Sequence, residues 1–436
     1  MAPKIIVLDD DPTGSQTVHS CSLLLRWDVE TLREALLESA PIFFILANTR
    51  AMLEAEAIAT TREICINLKA ALAAEKIKNF ILVSRSDSTL RGHFPAEPEA
   101  IASVFGEFDA CFHAPAFFEG GRVTIDGTHY IAEANQLTPV HTTEFAKDAI
   151  FGFSHSFLPD YIEEKTQGAI AAETVEILDA QQNQQQLATY LQGLTKNQQI
   201  VLSAATQSDF DQLVPALLEA TTDGKKFIFR SAASLLTSLA NLGKQPIAAK
   251  QMGQYRRSNH PGLILVGSHV AKTTVQLQEL LKLPTIQGIE IDVLRCQKHE
   301  VRDTFLSEIQ GAIATAFSQQ LTPVIYTSRS FQSQTNQQEQ LLFGETITQF
   351  LLEIVQALPS NLGFIISKGG NTSNRLLSHG LDLAKVQLLG QILAGCCLVK
   401  TTTAHPQLPD LPIVLFPGNV GDRLALVEVY RRLQTQ

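Results

Sequence analysis

The sequence predicts an α/β protein of two α/β domains, each with a largely parallel sheet flanked by helices, and three observations carry that expectation. Apolar runs of strand length recur along the chain, each stopping at a polar, loop-forming cluster, with helix-period segments between them. This is the rhythm of βαβ units whose loops gather at one edge of a parallel sheet. A chain of 436 residues is also too long for one ordinary core, so two domains are expected. Lastly, the apolar pattern lapses over 249–262, where Gln, Gly, Arg, Ser, Asn and His follow one another. That stretch reads as a linker and sets the expected domains at 1–250 and 258–436.

In chain order, Ile5-Ile6-Val7-Leu8 reads as a buried strand that breaks into Asp9-Asp10-Asp11-Pro12-Thr13-Gly14. Pro12 removes a backbone donor and Gly14 admits angles closed to other residues. The turn is therefore tight, and its carboxylates sit at the strand's carboxyl end, where open α/β sheets bind ligands. Strands are expected at 22–25, 42–46, 80–83 and 110–114, with helices over 29–39 and 55–75. The stretch 120–160 lacks long periodicity and is expected to be loop or short hairpin. Strands return at 175–178, 200–202 and 227–229, and the Gln-rich run 181–186 reads as a surface helix start. Leu263-Ile264-Leu265-Val266 then opens a second α/β unit, with a helix over 273–281 and strands at 289–291, 324–326, 364–366 and 413–416. The Gln/Asn-rich stretch 331–340 is expected to be a solvated connection.

Bulk properties narrow the function. A formal net charge of −10 without a long Lys/Arg cluster argues against a nucleic-acid partner. An anionic ligand must then meet a local basic pocket. The six cysteines show no CxxC pair and no histidines at zinc spacing, so they are expected to be reduced, mostly buried thiols. No signal pattern opens the chain, and no apolar run approaches the roughly 20 residues that cross a bilayer. No membrane partner and a cytoplasmic location are expected, and the chain is compatible with a homodimer.

Two kinds of chemistry-bearing cluster stand out. In the first half, Arg85 and Arg91 bracket Asp87 with hydroxyl residues between them, and Asn48-Thr49-Arg50 has the same character. Arginine grips carboxylates with paired hydrogen bonds, and Asp or hydroxyl side chains suit sugar hydroxyls. With Asp10 and Asp11, these loops describe a pocket for a small polyhydroxylated acid. In the second half, Gly267-Ser268, Gly369-Gly370-Asn371-Thr372-Ser373 and Pro417-Gly418-Asn419 each follow a buried strand. Such glycine loops present backbone N–H groups to phosphates, which suggests a nucleotide. Neither GxxxxGK[ST] nor GxGxxG occurs. His113 reads as a core residue, whereas His93, His129 and His269 lie in polar loops where acid–base or ligand roles are open. Ser268 lacks a nucleophile-elbow setting.

Asp10-Asp11-Pro12-Thr13-Gly14, Ser86-Asp87-Ser88-Thr89-Leu90-Arg91-Gly92, Pro115-Ala116-Phe117 with Gly121-Arg122, Gly267-Ser268 with Thr274 and Gln276, and Gly369-Gly370-Asn371-Thr372-Ser373 together resemble the ordered motifs of the four-carbon acid sugar kinase family. The resemblance runs over nearly the whole chain. It implies a sugar-acid-binding first domain, an ATP-binding second domain and transfer of the γ-phosphate to a terminal hydroxyl of a tetronate or 3-oxo-tetronate. Carried over by residue, it implies nucleotide contacts at Ser268, Gly369, Gly370, Asn371, Thr372 and Gly418, and sugar contacts at Asp10, Asp11, Asn48, Arg50, Asp87 and Arg91. The expected mechanism uses Mg2+ on the phosphates, although no metal ligands are assigned, with Asp10 or Asp11 orienting or deprotonating the hydroxyl. Arg50, Arg85 and Arg91 are the candidates for the substrate carboxylate. A second reading keeps the same ligands without transfer, as a nucleotide- and sugar-acid-binding sensor.

Overall fold

The structure, a computed structural model, describes residues 2–133, 136–179, 184–296, 298–328 and 337–434. Its chain divides into two compact units, Met1–Lys244 and Gln245–Gln436. The first unit contains β1 (Lys4–Asp9), β2 (Cys21–Leu24), β3 (Ile42–Leu46), β4 (Phe80–Arg85), β5 (Ala110–Ala114), β6 (Arg122–Ile125), β7 (Thr128–Glu133), β8 (Gln136–Pro139), β9 (Glu176–Asp179), β10 (Gln198–Ser203) and β11 (Phe227–Ser231). Its helices are α1 (Val29–Leu37), α2 (Glu54–Ala74), α3 (Ala96–Phe105), α4 (Leu158–Lys165), α5 (Gln184–Gly193), α6 (Gln207–Thr222) and α7 (Ala233–Ala240). Eight strands form a parallel sheet in the order β2-β3-β1-β4-β11-β5-β10-β9. Helices cover the sheet, so its central strands are buried on both faces: every residue from Ile5 to Asp9 and from Ile42 to Leu46 is buried. That is why these strands read as continuous apolar runs rather than alternating ones. On one face, α1 and α2 contribute Leu32, Ala35, Leu36, Ile64 and Leu68 to the core.

The second unit contains β12 (Leu263–Val266), β13 (Ile286–Ile291), β14 (Thr322–Thr327), β15 (Ile365–Lys368), β16 (Lys385–Leu393), β17 (Cys396–Lys400) and β18 (Pro412–Phe416). Its helices are α8 (Ala271–Leu280), α9 (Val293–Cys296), α10 (His299–Ser318), α11 (Gln337–Gln356), α12 (Gly370–Arg375) and α13 (Ala425–Gln434). The sheet runs β13-β14-β12-β15-β18-β17-β16, parallel from β13 to β18 and antiparallel across β17 and β16. The two units are thus α/β, with largely parallel sheets flanked by helices. Among the described residues, no helix is long and apolar enough to cross a membrane.

Several elements differ from expectation. The stretch 120–160 holds a three-stranded antiparallel sheet, β6-β7-β8, whose first turn is the pair Asp126-Gly127, both at positive φ. Ile131, Val140, Phe153 and Tyr161 give it a core of its own. Strands β16 and β17, absent from the sequence reading, form a bulged hairpin through Gly395, at φ +76°. The stretch 249–262 is no open linker, because a short 3-10 helix at Ala249–Tyr255 puts Met252 into the second unit's core. Residues 337–340 open α11 rather than extend a connection, and 331–336 and 181–183 lie outside the described residues. All six cysteines are unpaired and buried, as expected.

Met252 is 0% exposed within that core. Met252→Ala is expected to cost about 2–5 kcal/mol, as other large-to-small core changes do. Chemical denaturation measures it, and an unchanged midpoint would show that this short helix packs only loosely.

Candidate functional sites

In the first unit, the carboxyl ends of β3, β1 and β4 bring the expected acids and arginines together. The chain leaves β1 for β2 and β3 on one side and returns to β4 on the other. The loops therefore diverge at the end of β1, where doubly wound sheets open a ligand crevice. Asp10 lies there, 1% exposed. Arg50 grips it with Nε donating to Oδ2 at 3.0 Å and Nη2 to Oδ1 at 2.7 Å, and Arg85 Nη1 donates to Oδ1 at 3.0 Å. A buried carboxylate so engaged by two guanidiniums holds position and charge balance, with both oxygens already taken by protein donors.

Asp11 faces a different environment. Its side chain is 21% exposed, and Oδ2 stands 3.7 Å from Arg50 Nη1. Oδ1 accepts from the Thr13 backbone N–H at 2.8 Å and from the Thr13 hydroxyl. Burial pushes the Asp11 carboxyl up, but Arg50 and the Thr13 hydrogen bonds outweigh it and hold the group below its ordinary value. Asp87 accepts from Arg91 Nε at 2.7 Å and from the Thr89 hydroxyl, with Arg50 Nη1 at 3.9 Å. Burial again opposes ionisation, and Arg50 and Arg91 overcome it, leaving the carboxyl well below its ordinary value. Asn48, at φ +53°, takes the left-handed conformation that starts the turn carrying Arg50, and its N–H donates to the Asp9 carbonyl at 3.2 Å. Asp10, Asp11, Arg50, Arg85, Asp87 and Arg91 thus form one chain of ion pairs, with Asn48 beside it.

Three supporting residues escaped the sequence reading. Asp9 is fully buried, and its Oδ1 accepts from Arg85 Nη1 at 3.3 Å and from the Asp11 N–H at 3.4 Å, while Oδ2 has no hydrogen-bond partner. Burial above all, then the charges of Asp10 and Asp11, push its carboxyl from 3.8 to about 7 against the pull of Arg85. Any side chain at Gly14 would overlap this carboxylate, so only glycine lets the acidic loop fold over it. Arg230 Nη1 donates to Ser84 Oγ at 2.7 Å and Glu97 Oε2 at 2.6 Å, and Glu97 also accepts from the Thr49 hydroxyl next to Arg50. The sequence signal for Asp9 was present in the Asp triplet. Glu97 and Arg230 join the site from helix α3 and strand β11, and no local pattern marks them.

The histidines resolve into structural roles with one exception. His113 is buried and pairs with Gln199 Oε1 at 2.9 Å, as expected of a core residue. His93 is buried against the Thr49 and Met52 carbonyls, at 3.1 Å each. His129 is no loop residue: it is buried on β7, bonded to Thr124 Oγ1 at 2.9 Å and Ser88 O at 2.8 Å, and burial pushes it down to about 4. Of these four, His269 alone is exposed, its Nε2 2.9 Å from Thr327 Oγ1.

In the second unit, the ends of β12, β15 and β18 bring Ser268, Gly369, Gly370, Asn371, Thr372 and Gly418 to one cavity of about 500 Å3. Its other wall is apolar, from Ile347, Leu351, Leu352 and Val355 of α11. The loops are packed so closely that a Cβ on Gly267 would overlap Thr372 Oγ1, and one on Gly418 would lie 2.5 Å from Ser268 Oγ. Gly369 has φ +123°. Thr273 Oγ1 donates to the Gly418 carbonyl at 2.8 Å, and Gln276 Nε2 donates to Val420 O at 3.0 Å and Asp422 O at 2.7 Å. Lys368, also unassigned from sequence although it directly precedes the glycine pair, is fully buried and donates to Pro417 O at 2.6 Å. Glycine loops opposite an apolar wall fit the phosphates and base of a nucleotide. Among the described residues, no group of three or more His, Cys, Asp or Glu is arranged to hold a metal.

Fold and sites define a two-unit α/β protein with a candidate ligand site at the carboxyl edge of each sheet. The family of a sugar-binding N-terminal domain matches residues 5–239, and that of a nucleotide-binding C-terminal domain matches residues 263–426. The chain belongs to the four-carbon acid sugar kinase family. It is similar to D-threonate kinase of Bordetella bronchiseptica, 27% identical over 180 residues, which are 39% of this chain and 42% of that protein. The matched segment thus spans less than half of that relative. Among solved structures, a Salmonella typhimurium LT2 protein described provisionally as a tRNA synthase superposes with a TM-score of 0.70 at 18% identity over 100% of both chains. A Haemophilus influenzae protein superposes with a TM-score of 0.65 at 16% identity, over 99% of this chain and 100% of that one. At these identities the two structures establish the shared fold alone.

The native state holds the Asp9 proton up to about pH 7, whereas an ordinary carboxyl releases it near 3.8. The folded chain therefore binds more protons across that interval, and this group makes stability fall as pH rises from about 4 to about 7. Asp11 and Asp87, held below their ordinary values, act in the opposite sense at more acid pH. Asp9→Asn is expected to flatten the decline between pH 4 and 7, read from melting temperature against pH; a decline equally steep in the variant would show that Asp9 does not cause it.

Proposed function

We propose that the chain is an ATP-dependent kinase that phosphorylates a terminal hydroxyl of a small sugar acid of the tetronate or 3-oxo-tetronate type. The observation that carries this is the division of labour between adjacent aspartates. Asp10 is locked between Arg50 and Arg85, while Asp11 remains ionised and accessible at the mouth of the same crevice. Phosphoryl transfer asks mainly for positioning and charge neutralisation, with a carboxylate that orients the attacking hydroxyl and receives its proton. Asp11 Oδ2 fits that role. Asp87 and Asn48 supply partners for substrate hydroxyls, while Arg50 and Arg91 hold Asp10, Asp11 and Asp87 in place around them.

In this reading, the first unit binds the acceptor and the second binds ATP. The amides of Gly370, Asn371 and Thr372 open helix α12 and have no intrahelical partners, which leaves them for phosphate oxygens beside Ser268 and Gly418. The apolar wall of α11 takes the base. Magnesium, if bound, would supply charge neutralisation for the phosphates, a hard cation suited to oxygen ligands. Family membership and the partial similarity to D-threonate kinase support the choice of reaction.

Asp11→Asn is expected to cut turnover by about a hundredfold or more with the KM for ATP nearly unchanged. ATP consumption against a panel of sugar acids measures it, and undiminished turnover would remove Asp11 as the base. A wild-type chain that binds both ligands but consumes no ATP would be a sensor instead. Gly418→Val, whose first added carbon would lie 2.5 Å from Ser268 Oγ, is expected to raise the KM for ATP and leave acid binding intact. Equal effects on both ligands would place Gly418 outside the nucleotide site.

A further inference from the structure

We infer that Arg122 takes the carboxylate of the acceptor, an assignment that rests on the sugar-acid reading above and adds the residue that selects acids over neutral polyols. The argument begins with charge. Arg50, Arg85 and Arg91 each already hold a carboxylate of the protein: Asp10 at 2.7 Å, Asp10 at 3.0 Å and Asp87 at 2.7 Å respectively, with Asp11 beside Arg50 at 3.7 Å. Asp148 also stands 4.0 Å from Arg91 Nη1. The positive charges of this crevice are therefore matched before any ligand arrives. A further anion among matched pairs in a half-buried site is unfavourable unless another cation meets it.

Arg122 is that cation. Among the described residues it forms no ion pair; its Nη1 donates only to the Gly120 carbonyl of its own turn, and its Nε is buried with no hydrogen-bond partner. The side chain is partly exposed, so a ligand can reach it. Burial depresses the guanidinium below its ordinary value, while Asp87 and Glu133 draw it up and Arg91 opposes them. An anionic partner is the missing element.

The backbone around Arg122 is also tied to the acid–arginine cluster. Arg122 opens β6, which pairs with β7 in the register Arg122–Ile131. His129 of β7 is bonded to Ser88 O at 2.8 Å, and Tyr161 donates to Leu90 O at 3.0 Å. The small sheet and helix α4 packed on it are thus fastened to the loop that carries Asp87 and Arg91. The turn before Arg122 requires two glycines: a Cβ on Gly120 would run into the Phe117 ring, and one on Gly121, at φ +74°, into the Ala132 carbonyl. Paired backbone hydrogen bonds between Phe117 and Arg122, at 2.9 and 2.8 Å, then fix the residue.

Calorimetric titration of the full chain with threonate and erythronate, and with the uncharged alcohols threitol and erythritol, tests the assignment. Wild type is expected to bind at least one acid about tenfold or more tightly than the matching alcohol, because a guanidinium pairs bidentately with a carboxylate. Arg122→Gln is expected to lose that preference while keeping its alcohol affinity, and Arg122→Lys to recover part of it. In turnover, the KM for the acid should rise about tenfold or more with kcat nearly constant. An Arg122→Gln chain that still prefers the acid, or a wild type that binds none of the acids, overturns the proposal. Should Arg122→Gln fail to fold, an undiminished acid preference in Arg122→Lys would do the same, since lysine cannot reproduce the bidentate pairing. Lost preference without ATP consumption by wild type would sink the kinase reading and keep Arg122. ATP consumption with an unchanged KM in the variant would do the reverse.

Discussion

The first unit's site depends on the double clamp that Arg50 and Arg85 place on Asp10. These residues come from three neighbouring strand ends, β3, β1 and β4, so the clamp fixes the loops on which every other group of the cluster rides. Removing three charges from water is costly, and such pairs hold only when geometry is good and no charge is left alone. Arg50 meets that condition with parallel bonds to both Asp10 oxygens, and Arg85 divides its Nη1 between Asp10 and Asp9. The consequence is functional as much as structural. With Asp10 occupied, Asp11 inherits the accessible position, and its ionised state is secured by the same Arg50.

How far the sequence foretold this varies with the physical origin of each feature. Parallel strands buried on both faces announce themselves as apolar runs, and most strands of both sheets were legible for that reason. The loops at their carboxyl ends were legible too, because a strand that stops at Asp-Asp-Asp or at Gly-Gly changes chemistry abruptly. The antiparallel pieces were harder. Strands β6 and β8 are short and partly exposed, β7 alternates in burial but puts the polar His129 at an inward position, and β16 carries a bulge at Gly390, so no clean apolar pattern marks them. Even so, Asp126-Gly127 between β6 and β7 is the favoured two-residue hairpin pair, a signal that was there to be read. Glu97 and Arg230 were beyond reach, since their partnership spans 133 positions and exists only once α3 and β11 are in place.

The sequence placed acids and arginines at one edge but could not say which aspartate was free. That distinction is made by burial, which separates Asp9 and Asp10 from Asp11 although the three are adjacent. β1 ends at Asp9, and the turn at Thr13 and Gly14 folds over Asp9 while leaving Asp11 partly exposed. A triplet of like residues thus becomes a protonatable support, a charge anchor and an accessible carboxylate.

The two sheets share a strand order at the place that matters. In the first, β2-β3-β1-β4 puts the opening strand third; in the second, β13-β14-β12-β15 does the same. Both therefore split their loops at the end of the opening strand, and the residue types set there decide what the crevice can hold. In the first unit the edge is filled with charged side chains, which must pair among themselves before they can recognise a ligand. In the second it is stripped to Gly267, Gly369 and Gly418, so backbone lies at the surface of the cavity. Lys368 is the exception that keeps those loops together: its ammonium bonds the Pro417 carbonyl and sits 3.7 Å over the Phe416 ring, and burial pushes it down to about 7. A lysine so enclosed joins the end of β15 to the turn after β18, and with the Thr273 and Gln276 bonds to the same turn it ties together loops that the glycines allow to pack closely.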